Sequence, residues 1–142
     1  MPDDPIQESI SCLIVKVARA HRTLAATLLA ELDLYPGQEF LLMQLWREDG
    51  LPQSELCARL EVEPPTLTKM LHRLEGCGVV ERKRDPVDAR ICRVHLTDRG
   101  YALQEPVEKL WQTLESRTLA NLSLEEKLLL RRLLLQLAQN LA

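Results

Sequence analysis

The sequence predicts a mostly α-helical domain carrying one small β-hairpin, and three observations predict it. Apolar residues recur at the three-and-four spacing of a helix face in several separate segments. Only the stretch 79–96 changes to a β-branched, partly alternating pattern. All five glycines (Gly37, Gly50, Gly76, Gly78, Gly100) and the prolines Pro36, Pro52, Pro64, Pro65 and Pro86 fall between those segments or at their edges. At 142 residues, the chain has single-domain length, enough to bury roughly 68–70% of its unfolded surface. A hydrophobic share of 46% and a charged share of 27% exclude disordered and fibrous classes.

From Ile6 to Leu32 a wide apolar stripe (Ile6, Ile10, Leu13, Val17, Leu24, Leu28, broadened by Ile14, Ala18, Ala25 and Leu29) predicts a long helix, broken at Tyr35-Pro36-Gly37. Phe40, Leu41, Leu42, Leu45 and Trp46 mark a second helix, ending near Asp49-Gly50. A short third helix runs through Leu56 and Leu60, with Pro52 expected in its first turn, where a missing N–H costs nothing. Pro64-Pro65 opens a fourth, whose apolar face is Leu67, Leu71 and Leu74 and whose other face keeps Pro65, Thr66, Lys69, His72 and Arg73. Gly76-Cys77-Gly78 ends it. The hairpin follows: residues 79–84 and 91–96 as strands, and Asp85-Pro86-Val87-Asp88-Ala89-Arg90 as a six-residue tip. Thr97 caps a further long helix with Asp98 in its first turn and a bend expected at Pro106. Ser123 and Glu126 form a capping box opening the last helix. Leucine covers most of that helix's circumference, so it must be buried on more than one side, which a partner subunit achieves most simply.

Charge is distributed unevenly. The chain carries a net charge of −3, yet residues 69–93 hold seven bases (Lys69, Arg73, Arg82, Lys83, Arg84, Arg90, Arg93) against four acids (Glu75, Glu81, Asp85, Asp88). A basic island on an acidic body is the electrostatic footprint of a nucleic-acid binder, because only the contacting face must attract phosphate. The arrangement gives that island a shape. Two short helices joined by a three-residue turn and followed by a basic hairpin make a winged helix-turn-helix. A helix fits the DNA major groove with its N-terminal residues near base edges, and a cationic hairpin tip reaches the adjacent minor groove. Core packing accounts for Leu67, Leu71 and Leu74. It does not account for the absence of any acid from Pro64 to Leu74. The expected DNA-contacting set is Pro65, Thr66, Thr68, Lys69, His72, Arg73, Arg84 and Arg90, on a recognition helix at about 64–75 and a wing at about 79–96. The winged lobe is expected over residues 35–97, with a helical dimerisation region formed by 1–34 and 98–142.

Several segments resemble the MarR family of bacterial transcriptional regulators over nearly the whole chain: Leu32-Asp33-Leu34-Tyr35-Pro36-Gly37-Gln38, Gln53-Ser54-Glu55-Leu56, Pro65-Thr66-Leu67-Thr68-Lys69-Met70-Leu71, and Leu74 through Arg82. Most telling is Asp85-Pro86-Val87-Asp88-Ala89-Arg90 leading to Leu96-Thr97-Asp98-Arg99-Gly100. The resemblance implies that Arg90 enters the minor groove while Asp88 helps hold the wing. It also implies a homodimer built from the first and last two helices, a pseudo-palindromic double-stranded DNA operator, and release by a small phenolic or aromatic acid. Glu61 departs from the pattern, standing where a glycine is common. An effector pocket is expected between the dimer helices and the winged lobe, with His21, Arg22, Trp46 and Trp111 as candidate lining. The tryptophans also read as core, and the two polar residues as surface.

Other classes find less support. No glycine-rich phosphate loop, nucleophile elbow or carboxylate pair is present, and His21, His72 and His95 form no i, i+4 pair, so no enzyme, cofactor or metal site is expected. The last two helices contain no histidine, which argues against zinc sensing. A peroxide sensor of the same fold is the alternative. Cys12 lies about one residue from the reactive position of such sensors, with Lys16 as its obvious local help, but the assisting tyrosines are missing: only Tyr35 and Tyr101 exist. The four cysteines lack the C-x-x-C spacing of a zinc finger. A winged helix serving only protein contacts is opposed by Arg90 and the acid-free helix face. Finally, the acidic Met1-Pro2-Asp3-Asp4 start is unlike a secretory signal and no stretch suits a membrane span, so a cytoplasmic protein is expected.

Overall fold

The computed structural model describes residues 4–142; Met1, Pro2 and Asp3, part of the acidic start and of the first helical region, lie outside it. Its elements run α1 (Ile10–Ala30), α2 (Gln38–Arg47), β1 (Leu51–Pro52), α3 (Gln53–Leu60), α4 (Pro64–Gly76), β2 (Val80–Arg84), β3 (Cys92–Leu96), α5 (Asp98–Ala102), α6 (Gln104–Thr118) and α7 (Leu124–Leu141). The architecture is mostly helical with a three-stranded antiparallel sheet in the order β1-β3-β2. This is the winged helix-turn-helix expected from the sequence.

Several boundaries differ from the expectations for local reasons. Helix α1 starts at Ile10 rather than Ile6, because Asp4 folds residues 4–8 into a turn and Ser9, extended at ψ 151°, caps the helix by accepting the Cys12 amide. The helix ends at Ala30, where Asp33 takes a left-handed φ of 58° and the Leu34 amide returns to the Leu29 carbonyl. Pro52 lies in a strand, not in the first turn of α3. Leu51 and Pro52 pair with Val94 and Arg93 at the sheet edge, where an imino nitrogen needs no ladder partner. The helix after Thr97 is interrupted at Leu103 rather than bent at Pro106. Proline cannot donate to the carbonyl four residues back, here Ala102, so α5 stops at that residue and α6 restarts with Pro106 in its first turn. Ile91 also lies outside the strands: β2 and β3 pair from Val80 with Leu96 to Arg84 with Cys92, leaving a seven-residue tip.

One core joins the lobe to the long helices. Leu41, Leu42 and Leu45 of α2, Leu56 of α3, Leu67, Leu71 and Leu74 of α4, and Val80, Val94 and Leu96 of the sheet pack with Leu28 and Leu29 of α1 and Val107, Leu110 and Leu114 of α6. Each such side chain contributes about 1.5–3 kcal/mol on burial. Gly100 lets α5 lie flat against this core, since a methyl group there would overlap the Val79 carbonyl and meet the Leu96 side chain. The N-caps Thr97 and Ser123 form as expected, Ser123 with its full capping box. Helix α7 is left open within one chain: none of its residues is buried.

Candidate nucleic-acid interface

Helix α4 exists as an amphipathic helix because its leucines recur on one side. Leu67, Leu71 and Leu74 are buried in the core, and Pro65, Thr66, Thr68, Lys69, His72 and Arg73 are all exposed. The turn before it holds Glu61 in the left-handed region (φ 54°), with the Val62 amide returning to the Cys57 carbonyl. A glutamate therefore adopts the conformation that glycine would take without strain. Pro64 and Pro65 sit at the helix start, and no acid stands in its first turn. Thr68 turns its hydroxyl inward along the helix, donating to the Pro64 carbonyl at 2.9 Å, whereas Thr66, Lys69 and His72 have no side-chain hydrogen bond among the described residues.

The wing is held by two aspartates rather than one. Asp85 Oδ1 accepts the amides of Val87 (2.8 Å) and Asp88 (2.9 Å), folding the tip, and its Oδ2 accepts Arg93 Nε at 2.6 Å. Arg93 also donates to the Gly50 carbonyl at 3.0 Å, which ties the wing to the end of α2. These donors, the Asp88 amide first and the Arg93 guanidinium next, hold the Asp85 carboxyl at about 2, well below its ordinary value. Asp88 accepts the Arg90 amide (3.1 Å) and Arg90 Nε (3.0 Å), and Arg90's hydrogen bonds lower its pKa as well. Sequence reasoning assigned wing support to Asp88 alone and missed Asp85 and Arg93. The signal was present: an aspartate followed by proline at the start of a turn uses its side chain to bind the next amides. Asp49, also missed, anchors the other end of the sheet by accepting the Leu96 amide and the Tyr101 hydroxyl, both at 2.8 Å.

Ion pairing decides where the surplus charge lies. Each acid of the island takes one base: Glu75 with Arg82, Glu81 with Lys83, Asp88 with Arg90 and Asp85 with Arg93. The surplus of three therefore resides on Lys69, Arg73 and Arg84. Lys69 and Arg73 project from α4. Arg84 bends across the wing and donates to the Ala89 carbonyl at 2.8 Å, so part of its hydrogen-bonding capacity braces the tip. The Arg90 side chain is paired but 91% exposed, so a phosphate or base edge can compete for it. Arg73 is tied to neither Glu75 nor Asp85. Its guanidinium lies 4.6 Å from the centre of the Tyr35 ring.

The candidate effector residues differ in their surroundings. Trp46 Nε1 donates to the Gly100 carbonyl at 2.9 Å, a bond joining α2 to α5. Trp111 meets Phe40 edge-on at 5.6 Å, and its indole N–H is buried without a partner among the described residues. His21 is half-buried on α1 and Arg22 exposed. Cys12 falls in the first turn of α1, half-buried, its amide capped by Ser9. Among the described residues no cluster of three or more His, Cys, Asp or Glu side chains could hold a metal ion, and no helix is long and apolar enough to cross a membrane.

Fold and surface together define a winged helix-turn-helix with a cationic face. Comparison with known proteins makes this specific. Residues 34–92 match the MarR family. The chain is 35% identical over 127 residues to the HTH-type transcriptional regulator TtmR of Methylorubrum extorquens, covering 88% of this chain and 64% of that protein. It is 34% identical over 104 residues to the HTH-type transcriptional repressor MdtR of Bacillus subtilis, covering 73% and 67%. It thus spans slightly less than two thirds of TtmR's length. A crystal structure of a MarR mutant from E. coli complexed with operator DNA superposes with a TM-score of 0.82 at 32% identity, over 95% of this chain and 99% of that one. The chain belongs to the MarR family of transcriptional regulators.

Proposed function

We propose that this chain is a homodimeric repressor that binds a pseudo-palindromic double-stranded DNA operator and lets go when a small aromatic or phenolic ligand binds. The observation that carries the reading is the charge surplus. Four acids neutralise four bases of the island, leaving Lys69 and Arg73 on the exposed face of α4 and Arg84 on the wing. In this reading Pro65, Thr66, Thr68, Lys69, His72 and Arg73 face the major groove. Thr68 packs its methyl there, since its hydroxyl is engaged with Pro64. Arg84 and Arg90 lie at the wing, with Asp88 and Asp85 fixing the tip. Residues 35–97 form the DNA-binding lobe, and the flanking helices of 1–34 and 98–142 form the dimer.

Dimerisation is supported by apolar residues that one chain leaves uncovered: Ile10, Leu13, Ile14 and Val17 on α1, and Leu128, Leu129, Leu133, Leu134 and Leu135 on α7. The unpartnered Trp111 N–H beside Phe40 suits a ligand that pairs an aromatic ring with a hydrogen-bond acceptor. Ligand occupancy there, between α2 and α6, changes the separation of the two recognition helices and with it the fit to two half-sites. The names of the relatives agree with a repressor's role, and a DNA regulator of this kind works in the cytoplasm.

Selection of binding sites from genomic fragments tests the reading. The expected consensus is two inverted half-sites about one helical turn apart. Arg90→Ala should weaken binding to A·T-rich flanks without altering the inner consensus. Lys69→Ala should relax preference at one position in both half-sites, since a good base contact discriminates by about 1–3 kcal/mol. Fragments retained without any shared sequence would overturn the operator reading.

A further inference from the structure

Resting on the DNA-binding reading, we propose that Tyr35 is a positioning residue for DNA recognition: its ring holds the Arg73 guanidinium by its face and leaves the edge free for a phosphate or base. The geometry distinguishes Arg73 from its neighbours. Arg82, Arg90 and Arg93 are each held by a carboxylate, which orders the side chain but occupies its N–H groups and cancels its charge. Arg73 has no carboxylate partner among the described residues and no side-chain hydrogen bond, and its guanidinium carbon sits 4.6 Å from the Tyr35 ring centre. Stacking on an aromatic face uses the guanidinium's π surface, whereas its five N–H donors lie in the plane and point outward. An aromatic partner therefore orders the arginine without neutralising it. A carboxylate cannot.

The ring is itself well placed to serve as a platform. Tyr35 is 57% exposed, but its backbone is clamped between buried neighbours. Its amide donates to Gln38 Oε1 at 2.8 Å, and its carbonyl accepts the Gln38 amide at 3.1 Å. Gln38 is 3% exposed and Leu34, on the other side, 5%. Glu39, also buried, accepts the Gly37 amide at 2.5 Å, and Pro36 removes a further degree of freedom. A turn this constrained, with two buried polar side chains folded back onto it, keeps an exposed tyrosine in one place. Its hydroxyl has no hydrogen-bond partner among the described residues, so the ring and not the phenol oxygen is the working part. A long arginine then reaches DNA with less rotamer freedom left to lose.

The test is a double-mutant cycle read by DNA titration at several salt concentrations, on the duplex selected by the wild type, together with the ring-current shift of the Arg73 side-chain protons in free protein. Tyr35→Phe should bind within about twofold of wild type, since an exposed cation–π contact does not need the hydroxyl. Tyr35→Ala should bind about 5- to 30-fold more weakly, two stacks being lost per dimer. It should also lower the slope of log K against log salt by up to about two units, about 0.9 for each phosphate contact. In an Arg73→Ala background, Tyr35→Ala should cost nothing more, and Arg73→Lys should not restore the wild-type response to Tyr35. The Arg73 protons should be shifted upfield in wild type and Tyr35→Phe, and not in Tyr35→Ala. An equal loss from Tyr35→Ala with and without Arg73 would overturn the proposal, as would unshifted protons, whatever the DNA result. Upfield protons in a wild type that binds no duplex would instead overturn the DNA-binding reading and, with it, any role for the stack.

Discussion

Within the winged lobe, Leu41, Leu42, Leu45, Leu56, Leu67 and Leu71 are each at most 1% exposed, whereas on α7 Leu128, Leu129, Leu134 and Leu135 are 53–62% exposed. The same side chain closes the core in one region and lies open in the other. The lobe's leucines meet one another across α2, α3, α4 and the sheet inside a single chain. Among the described residues no element covers those of α7, and the outer face of α1 is equally bare. The contrast teaches that leucine content alone does not locate a core: the lobe is complete in one chain, and the outer helices keep apolar faces that the proposed second chain would cover.

The sharpest way to break this comparison is to charge the outer helix. Leu134→Glu should have the largest effect, because twofold symmetry places two carboxylates in one apolar interface and burying each unpaired charge costs several kcal/mol. Sedimentation should show loss of the dimer and, with it, loss of cooperative unfolding at micromolar protein. A compact, folded species of single-chain mass in the wild type would break the comparison from the other side. Next in size, Leu71→Ala should destabilise the lobe by about 2–5 kcal/mol through lost burial and a residual cavity. The two variants should differ in kind. The thermal midpoint of wild type should rise with protein concentration, as dimer linkage requires, and Leu71→Ala should lower the midpoint while keeping that dependence.

Much of this contrast was legible in the sequence. The three-and-four spacing gave the helix faces, and the change to β-branched residues at Val79 gave the wing. Leucine on every side of the last helix indicated that one chain could not bury it. Periodicity could not find ends set by single side chains. Ser9 stops α1 short of Ile6 because its hydroxyl caps the Cys12 amide, and Pro106 acts on the carbonyl of Ala102 instead of at its own position. The candidate site was legible as a set of residue types and not as a set of partners. Which four bases are neutralised depends on distances across α4 and the wing. The pairing of Arg73 with Tyr35 spans 38 residues of sequence that no local pattern connects.

A smaller effect sharpens the wing's place in the comparison, since it is ordered by charge where the lobe is ordered by burial. Asp85 titrates at about 2 in the folded protein, below the ordinary 3.8. A depressed carboxylate contributes its stabilisation above its unfolded value, and that contribution is lost as pH falls from about 3.8 through about 2. Amide exchange at Val87 and Asp88 should therefore lose protection over that acid window while the Leu71 amide remains protected. Asp85→Asn should reproduce the loosened tip at neutral pH with little change in the thermal midpoint. The smallest expected effect is none at all: Cys12→Ser should leave operator release unchanged under mild peroxide. Release of the wild type but not of Cys12→Ser would restore the peroxide-sensor alternative.

The central claim is that the unpaired cations Lys69, Arg73 and Arg84 carry the attraction to DNA, and the slope of log K against log salt on the selected operator tests it most directly. A dimer presents six of them. Replacing all three with Gln should therefore flatten the slope by up to about five units, at about 0.9 for each of them that meets a phosphate, with the fold and dimer intact. A triple variant that keeps the wild-type slope, or loses no more than the paired Arg82→Gln and Lys83→Gln variants do, would contradict it.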